Sequence, residues 1–297
     1  MNPNIDLNGT LLMYYGIDFA IAIVLLAGVR YFAGVISNVS AAEELAQKDN
    51  PAFGLAMAGA IIAVAVMLIG ALSGDFSNSH GKELMLMASY GVAGIILMWV
   101  TRIVFDRFSL PQISVHQQIM SGNVATGIVD AGNMIATAII IRAVMDWVDL
   151  VSLNGIFIVI GGYIISQIIM LLATIYRSNV FSKRHPGKTL HDAIASGNTA
   201  LAIRFAGHRL GIALAVSAAT GLVPYIEGLE IKQLLTWGVI AIIMFVLLNG
   251  IAILMRKIVL YAVDVADEVD KQRNIAIGSI EASIYLAVGF ILLGLFG

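Results

Sequence analysis

Eight apolar stretches divide the chain, at residues 11–36, 51–73, 84–105, 124–145, 153–176, 199–223, 234–255 and 275–296, with short polar connections between them. A helix needs about 20 apolar residues to cross a hydrocarbon core, so each stretch predicts one membrane-spanning helix. Barrel strands would alternate polar and apolar residues over segments of about 10, whereas these runs are continuous. The first stretch is too long for a signal-peptide core and has no basic residue before Arg30, so it reads as a retained helix.

Composition agrees with this pattern. Of 297 residues, 59% are hydrophobic and 12% charged, and the mean hydropathy is +0.91. A soluble domain carries roughly 25% charged residues, and this much apolar surface has no place inside one water-soluble globule. A cytosolic enzyme, a nucleic-acid binder and a disordered chain are excluded. The chain has no Cys, hence no disulfide framework, thiolate metal ligand or Cys nucleophile. No Walker A run, Gly-x-Ser-x-Gly, His-Glu-x-x-His or dinucleotide fingerprint occurs. His80, His116, His185 and His191 are scattered over turns without metal-ligand spacing. The sequence therefore predicts neither an enzyme nor a cofactor nor a metal site.

Orientation follows from Lys and Arg in the connections. The turns after the first, third, fifth and seventh stretches carry twelve such residues and the opposite side three, Lys82, Arg142 and Lys232. The bias predicts both termini outside and the basic turns in the cytoplasm, in the plasma (inner) membrane.

The chain also repeats itself. Four segments align without gaps: Asn50-Pro51-Ala52-Phe53-Gly54, Asn123-Val124-Ala125-Thr126-Gly127, Asn198-Thr199-Ala200-Leu201-Ala202 and Asn274-Ile275-Ala276-Ile277-Gly278. Their starts lie 73, 75 and 76 residues apart. Eight places after each Asn stands Ala58, Ala131, Ala206 or Ala282, and nine places after it Gly59, Gly132, Gly207 or Ser283. Asn50, Asn123, Asn198 and Asn274 are each suited to cap a helix N-terminus. The small residues Gly54, Gly59, Gly127, Gly132, Ala202, Gly207, Gly278 and Ser283 fall near one face of their helices, where another backbone can approach closely in lipid. With two helices per unit, every unit has the same topology. The expected fold is all-α: eight transmembrane helices in four parallel two-helix repeats, grouped as halves 1–150 and 151–297.

The Asn-x-Ala-x-Gly run at a helix start, followed by a small-residue face and repeated along the chain, resembles the bacterial inner-membrane family called domain of unknown function 350. The resemblance implies an integral plasma-membrane protein of repeated two-helix units, linked with envelope-stress or polyamine-related neighbours. It carries over no catalytic residue.

Ionisable groups inside the motif helices are the candidate chemistry. Asp130 and Glu281 both stand seven places after their Asn, Asn133 and His208 ten places after, and Arg204 and Arg209 six and eleven after Asn198. At 1.5 Å per residue these offsets reach roughly 9–16 Å below the helix start, near the middle of the bilayer. A charge there costs at least about 2.5–3.5 kcal/mol unless it meets a partner or water. One expectation is a single polar cluster of Asp130, Asn133, Arg204, His208, Arg209 and Glu281, suited to a proton- or cation-linked channel or transporter, with the acids as ion sites and His208 as a relay titrating near physiological pH. The other is that Arg–acid pairs only hold helices together.

The turn from Arg256 to Arg273 alternates apolar and acidic positions at helical spacing. It predicts a cytoplasmic extension of the seventh helix and a surface for a protein partner. The rival function is accordingly a non-transporting scaffold or envelope-stress component. Expected partners are the lipid bilayer, a second copy of the chain and a cytoplasmic protein, with no nucleic acid.

Overall fold

The computed structural model describes residues 40–72, 80–148, 155–226 and 228–297, and parts of 13–28. Its helices are α1 (Phe19–Gly28), α2 (Ala41–Ala46), α3 (Pro51–Leu72), α4 (His80–Val104), α5 (Val115–Met120), α6 (Val124–Trp147), α7 (Gly155–Arg184), α8 (Leu190–Ala195), α9 (Thr199–Ala218), α10 (Glu230–Val259) and α11 (Ile275–Phe296). Among the described residues there is no strand. Seven helices are long and apolar enough to cross a membrane, α3, α4, α6, α7, α9, α10 and α11. The first expected stretch, residues 11–36, falls largely outside the described residues; α1 is the part of it that the structure describes as a helix.

Each repeat begins its second helix in the same way. A short amphipathic helix comes first, capped by Ser40, Ser114 or Thr189 in α2, α5 and α8. The chain then reverses through one left-handed residue immediately before the motif Asn: Asp49 (φ 46°), Gly122 (φ 81°), Gly197 (φ 79°) and Arg273 (φ 57°). Glycine suits that conformation; at Asp49 and Arg273 a side chain tolerates it. The Asn side-chain oxygen then accepts from the backbone N–H three residues on: Phe53 at 3.0 Å, Thr126 at 3.3 Å, Leu201 at 3.0 Å and Ile277 at 3.4 Å.

The same Asn side chain also joins neighbouring repeats. Its amide donates to the last carbonyls of the short helix or turn in the next copy: Asn50 to Ile119 (3.0 Å), Asn123 to Ile194 (3.1 Å) and Ala195 (3.0 Å), and Asn198 to Val269 (3.0 Å). One residue type thus caps a helix and sets the register between units.

The four motif helices form a row in which α3 packs on α6, α6 on α9 and α9 on α11. α4, α7 and α10 form a second layer against them. The row is close-packed because its seams are glycine. The Gly at +9 meets the Ala at +8 of the next copy: Gly59 with Ala131, Gly132 with Ala206, Gly207 with Ala282. A Cβ on Gly132 would lie 2.5 Å from that of Ala206, far inside van der Waals contact. The +4 Gly of one copy meets the +2 Ala of the copy before, Gly127 against Ala52 and Gly278 against Ala200. Gly54 lies 3.6 Å from the Leu45 side chain, and Ala202 is buried. Ser283 faces outward, its hydroxyl donating to the Ser279 carbonyl at 2.9 Å. The row crosses residue 150 without interruption.

At the ends away from the basic turns, Trp147 stacks on Trp237 at 6.4 Å and meets Tyr225 edge-on at 5.7 Å. Trp237 is fully buried, so this aromatic stack packs the far ends of α6 and α10 together.

The region after α10 differs from expectation. The helix stops at Val259 rather than continuing towards Arg273. Ala262 takes a left-handed φ of 62°, a wide π-turn runs over Asp267–Lys271, and Val265 and Val269 are buried. The helical spacing of apolar residues reflects this folded-back turn, which fills the place that α2, α5 and α8 take in the other copies.

Candidate functional site

The charges sit between the two helix layers, near the basic ends. Asp130, Asn133, Arg204, His208, Arg209 and Glu281 are all buried. They do not form one cluster; they divide among three sets, each completed by residues from the second layer.

In the first set, Asp130 Oδ2 accepts from Arg102 Nη2 of α4 at 2.7 Å. The partner of Asp130 is therefore neither Arg204 nor Arg209. In the second, Arg209 donates to Asn133 Oδ1 (2.6 Å) and Thr174 Oγ1 (2.7 Å), and its guanidinium lies over the rings of Phe105 and Phe205 at 5.0 and 5.6 Å. No carboxylate pairs with it among the described residues. Its charge is accommodated by neutral acceptors and aromatic faces.

The third set is an extended network. Arg204 meets Asp270 at 2.5 Å and Glu281 at 3.5 Å. Glu281 also meets Arg256 at 3.2 Å, and Asp270 meets His185 at 3.1 Å. Beside it, Arg177 Nε donates to His208 Nδ1 at 3.2 Å, while Asn249 Oδ1 lies 3.0 Å from His208 Nε2. Asn249 spends its amide on the Phe245 carbonyl at 2.8 Å, so its oxygen faces the imidazole. An arginine only donates. His208 Nδ1 must therefore accept and Nε2–H donate, which defines a neutral ring. The structure pairs His208 with Arg177 and Asn249 rather than with the acids of the expected relay, and among the described residues no carboxylate bonds to it.

Along the sequence Arg102, Arg177 and Arg256 read only as flanking positive charges among the twelve of the basic turns. Yet they precede the motif Asn of their own copy by 21, 21 and 18 residues. Each reaches from the first helix of its hairpin to a polar residue of the second, Asp130, His208 or Glu281. That spacing was the available signal. Asp270, His185, Thr174 and Asn249 had none, because only the folded-back turn and the layer packing bring them in.

The balance is five buried or half-buried arginines, Arg102, Arg177, Arg204, Arg209 and Arg256, against three carboxylates, Asp130, Asp270 and Glu281. Asp130 Oδ1, Asn133 Nδ2, Arg177 Nη2 and Arg209 Nε are buried without a hydrogen-bond partner. A small cavity of about 20 Å³ lies beside Arg177, Arg204 and Asp270, enough for about one water-sized particle. Among the described residues no three His, Asp or Glu side chains gather to hold a metal ion. Outside the membrane, burial holds the His191 imidazole below its ordinary pKa against the opposing pull of Asp192. The Lys48 ammonium, 2.7 Å away, lowers that of Glu44.

The family described as Domain of Unknown Function (DUF350) matches twice, over residues 6–145 and 151–296. A UPF0719 transmembrane protein of Aquifex aeolicus (strain VF5) is 27% identical over 103 residues, which is 35% of this chain and 38% of that protein. The match thus spans well under half of that relative's length. No solved structure matches the chain.

Proposed function

The chain belongs to the Domain of Unknown Function (DUF350) family, and we propose that it is a channel- or transporter-like membrane protein whose working centre is the arginine-rich layer between its two rows of helices. One observation carries this reading: five arginines face three carboxylates between the helix layers, and the unpartnered donors Arg102 Nε, Arg177 Nη2, Arg209 Nε and Asn133 Nδ2 outnumber the unpartnered carboxylate oxygens Asp130 Oδ1 and Glu281 Oε2. Helices held only by structural ion pairs would match charges and satisfy their donors. An excess of two positive charges disfavours alkali cations and favours a small anion. The basic ends face the cytoplasm in this reading, as the Lys and Arg bias supports, and the membrane is the plasma membrane.

The test is ion flux in liposomes holding the purified full chain. Chloride efflux is expected, falling at least ten-fold in Arg209→Gln. Wild-type liposomes that pass neither chloride nor protons nor potassium defeat the proposal, and potassium flux without chloride defeats its sign. A second reading, a non-transporting scaffold, draws on the end of α10. There Ile258, Val259 and Tyr261 are exposed beside an open cleft of about 690 Å³ containing Arg184, Arg256 and Lys257. Under that reading Tyr261→Ser with Ile258→Ser abolishes partner capture, and Arg209→Gln leaves it intact.

A further inference from the structure

Every motif helix has two edges. The trailing edge, at positions +2, +6, +9 and +13 from the Asn, receives the next copy; the leading edge, at +4 and +8, enters the copy before. In α3, α6 and α9 the trailing edge is covered, and its +2 residues Ala52, Ala125 and Ala200 are 0% exposed. In α11 the same edge is open: Ala276, Ile280, Ser283 and Ala287 are exposed. Ile280, Ser283 and Ala287 line an apolar groove of about 450 Å³ shared with Ile251 and Met255 of α10. At the other end of the row, α3 keeps small residues on its leading edge, Gly54 and Ala58, and Ala58 is exposed.

The asparagine bridges end in the same way. Asn50, Asn123 and Asn198 each donate to carbonyls of the following copy. The Asn274 amide keeps the own-copy contact that Asn50 makes to Glu44 and Asn123 to Gln118, here to Glu268 at 2.8 Å, and no following copy offers it a carbonyl. In the internal copies 2 and 3 the accepting carbonyls lie four and three residues before the next Asn. The corresponding residues before Asn50 are Ala46 and Gln47, both exposed at the end of α2.

We propose that the α11 edge of one molecule receives the α3 edge of a second copy of this chain, in the register the chain already uses three times internally. The contact is head-to-tail, so it builds closed rings or open rows rather than a two-fold dimer. All motif helices start at the basic ends, so successive molecules share one orientation in the membrane. The small residues allow the close backbone approach that drives helix association in lipid. The Ser283 hydroxyl, already bonded to Ser279 O, adds no unmet polar group. This inference stands independently of any transport activity.

The absence of cysteine makes the test direct. Gln47→Cys and Ile275→Cys, combined in one full-length chain in native membranes, are treated with a short bis-maleimide. A ladder of dimers and larger species is expected from the double variant and no product from either single variant. Cross-linking by a single variant shows two-fold pairing and overturns the proposal. So does an absent ladder when both cysteines react with a simple maleimide. Adding Ser283→Leu is expected to reduce the ladder at least ten-fold with unchanged melting of the solubilised chain. A ladder that survives this change overturns the register.

Discussion

At Gly207 a Cβ would stand 2.5 Å from the Cα and 3.0 Å from the carbonyl oxygen of Ala282. Both are backbone atoms, which cannot swing aside as a flexible side chain does. Gly207→Ala should therefore push α9 and α11 apart, at a cost of about 1–3 kcal/mol from overpacking, seen as a lower melting temperature of the solubilised protein. Gly250 in α10 has nothing within 4 Å of its added Cβ. There the same substitution should be neutral or stabilising, because Ala favours a helix over Gly by up to about 1 kcal/mol. Equal losses at the two sites would refute the close-packed seam. Glycine composition alone could not separate these cases, whereas the +9 spacing could.

The most enclosed of the spanning helices is α9, which carries the buried Arg204 and Arg209; 83% of its spanning window is buried. This follows from electrostatics, since Arg204 and Arg209 are tolerable in a membrane only when other helices supply acceptors. Between α4 and α6 the pair Arg102–Asp130 is asymmetric: the arginine side chain is 29% exposed and the aspartate 0%. Replacing one partner of a fully buried pair costs about 3–5 kcal/mol. The partial exposure of Arg102 puts Asp130→Asn towards the lower end. Combining it with Arg102→Gln should restore most of the lost thermal stability. If the two losses simply add, the pair is not coupled and the hairpin is held by packing alone.

On the scale of the whole molecule, two layers of parallel-starting and oppositely running helices put the basic turns after α4, α7 and α10 at one face. Orientation then becomes a single yes-or-no property. Tyr261, 84% exposed beyond α10, and Leu229, 48% exposed before it, mark the two faces. Tyr261→Cys should react with a membrane-impermeant maleimide only in inverted vesicles, and Leu229→Cys only in intact cells. The opposite pattern would reverse the topology drawn from the Lys and Arg bias.

The sequence by itself determined the helical, membrane-spanning character, the four Asn starts and the small residues at +4, +8 and +9. These depend on hydrophobic length and on contacts within a few residues, both of which are written locally. It also marked Asp130, Arg204, His208, Arg209 and Glu281 as ionisable groups at membrane depth, though not Asp270 or the arginines of the second layer. Only the tertiary structure decided their partners. Asp130 chose Arg102, Arg209 chose Asn133 and aromatic rings, and His208 became a neutral bridge between Arg177 and Asn249. Those choices depend on how two layers of helices are rotated against each other. The glycine seams set that rotation through distances between chain segments some seventy residues apart.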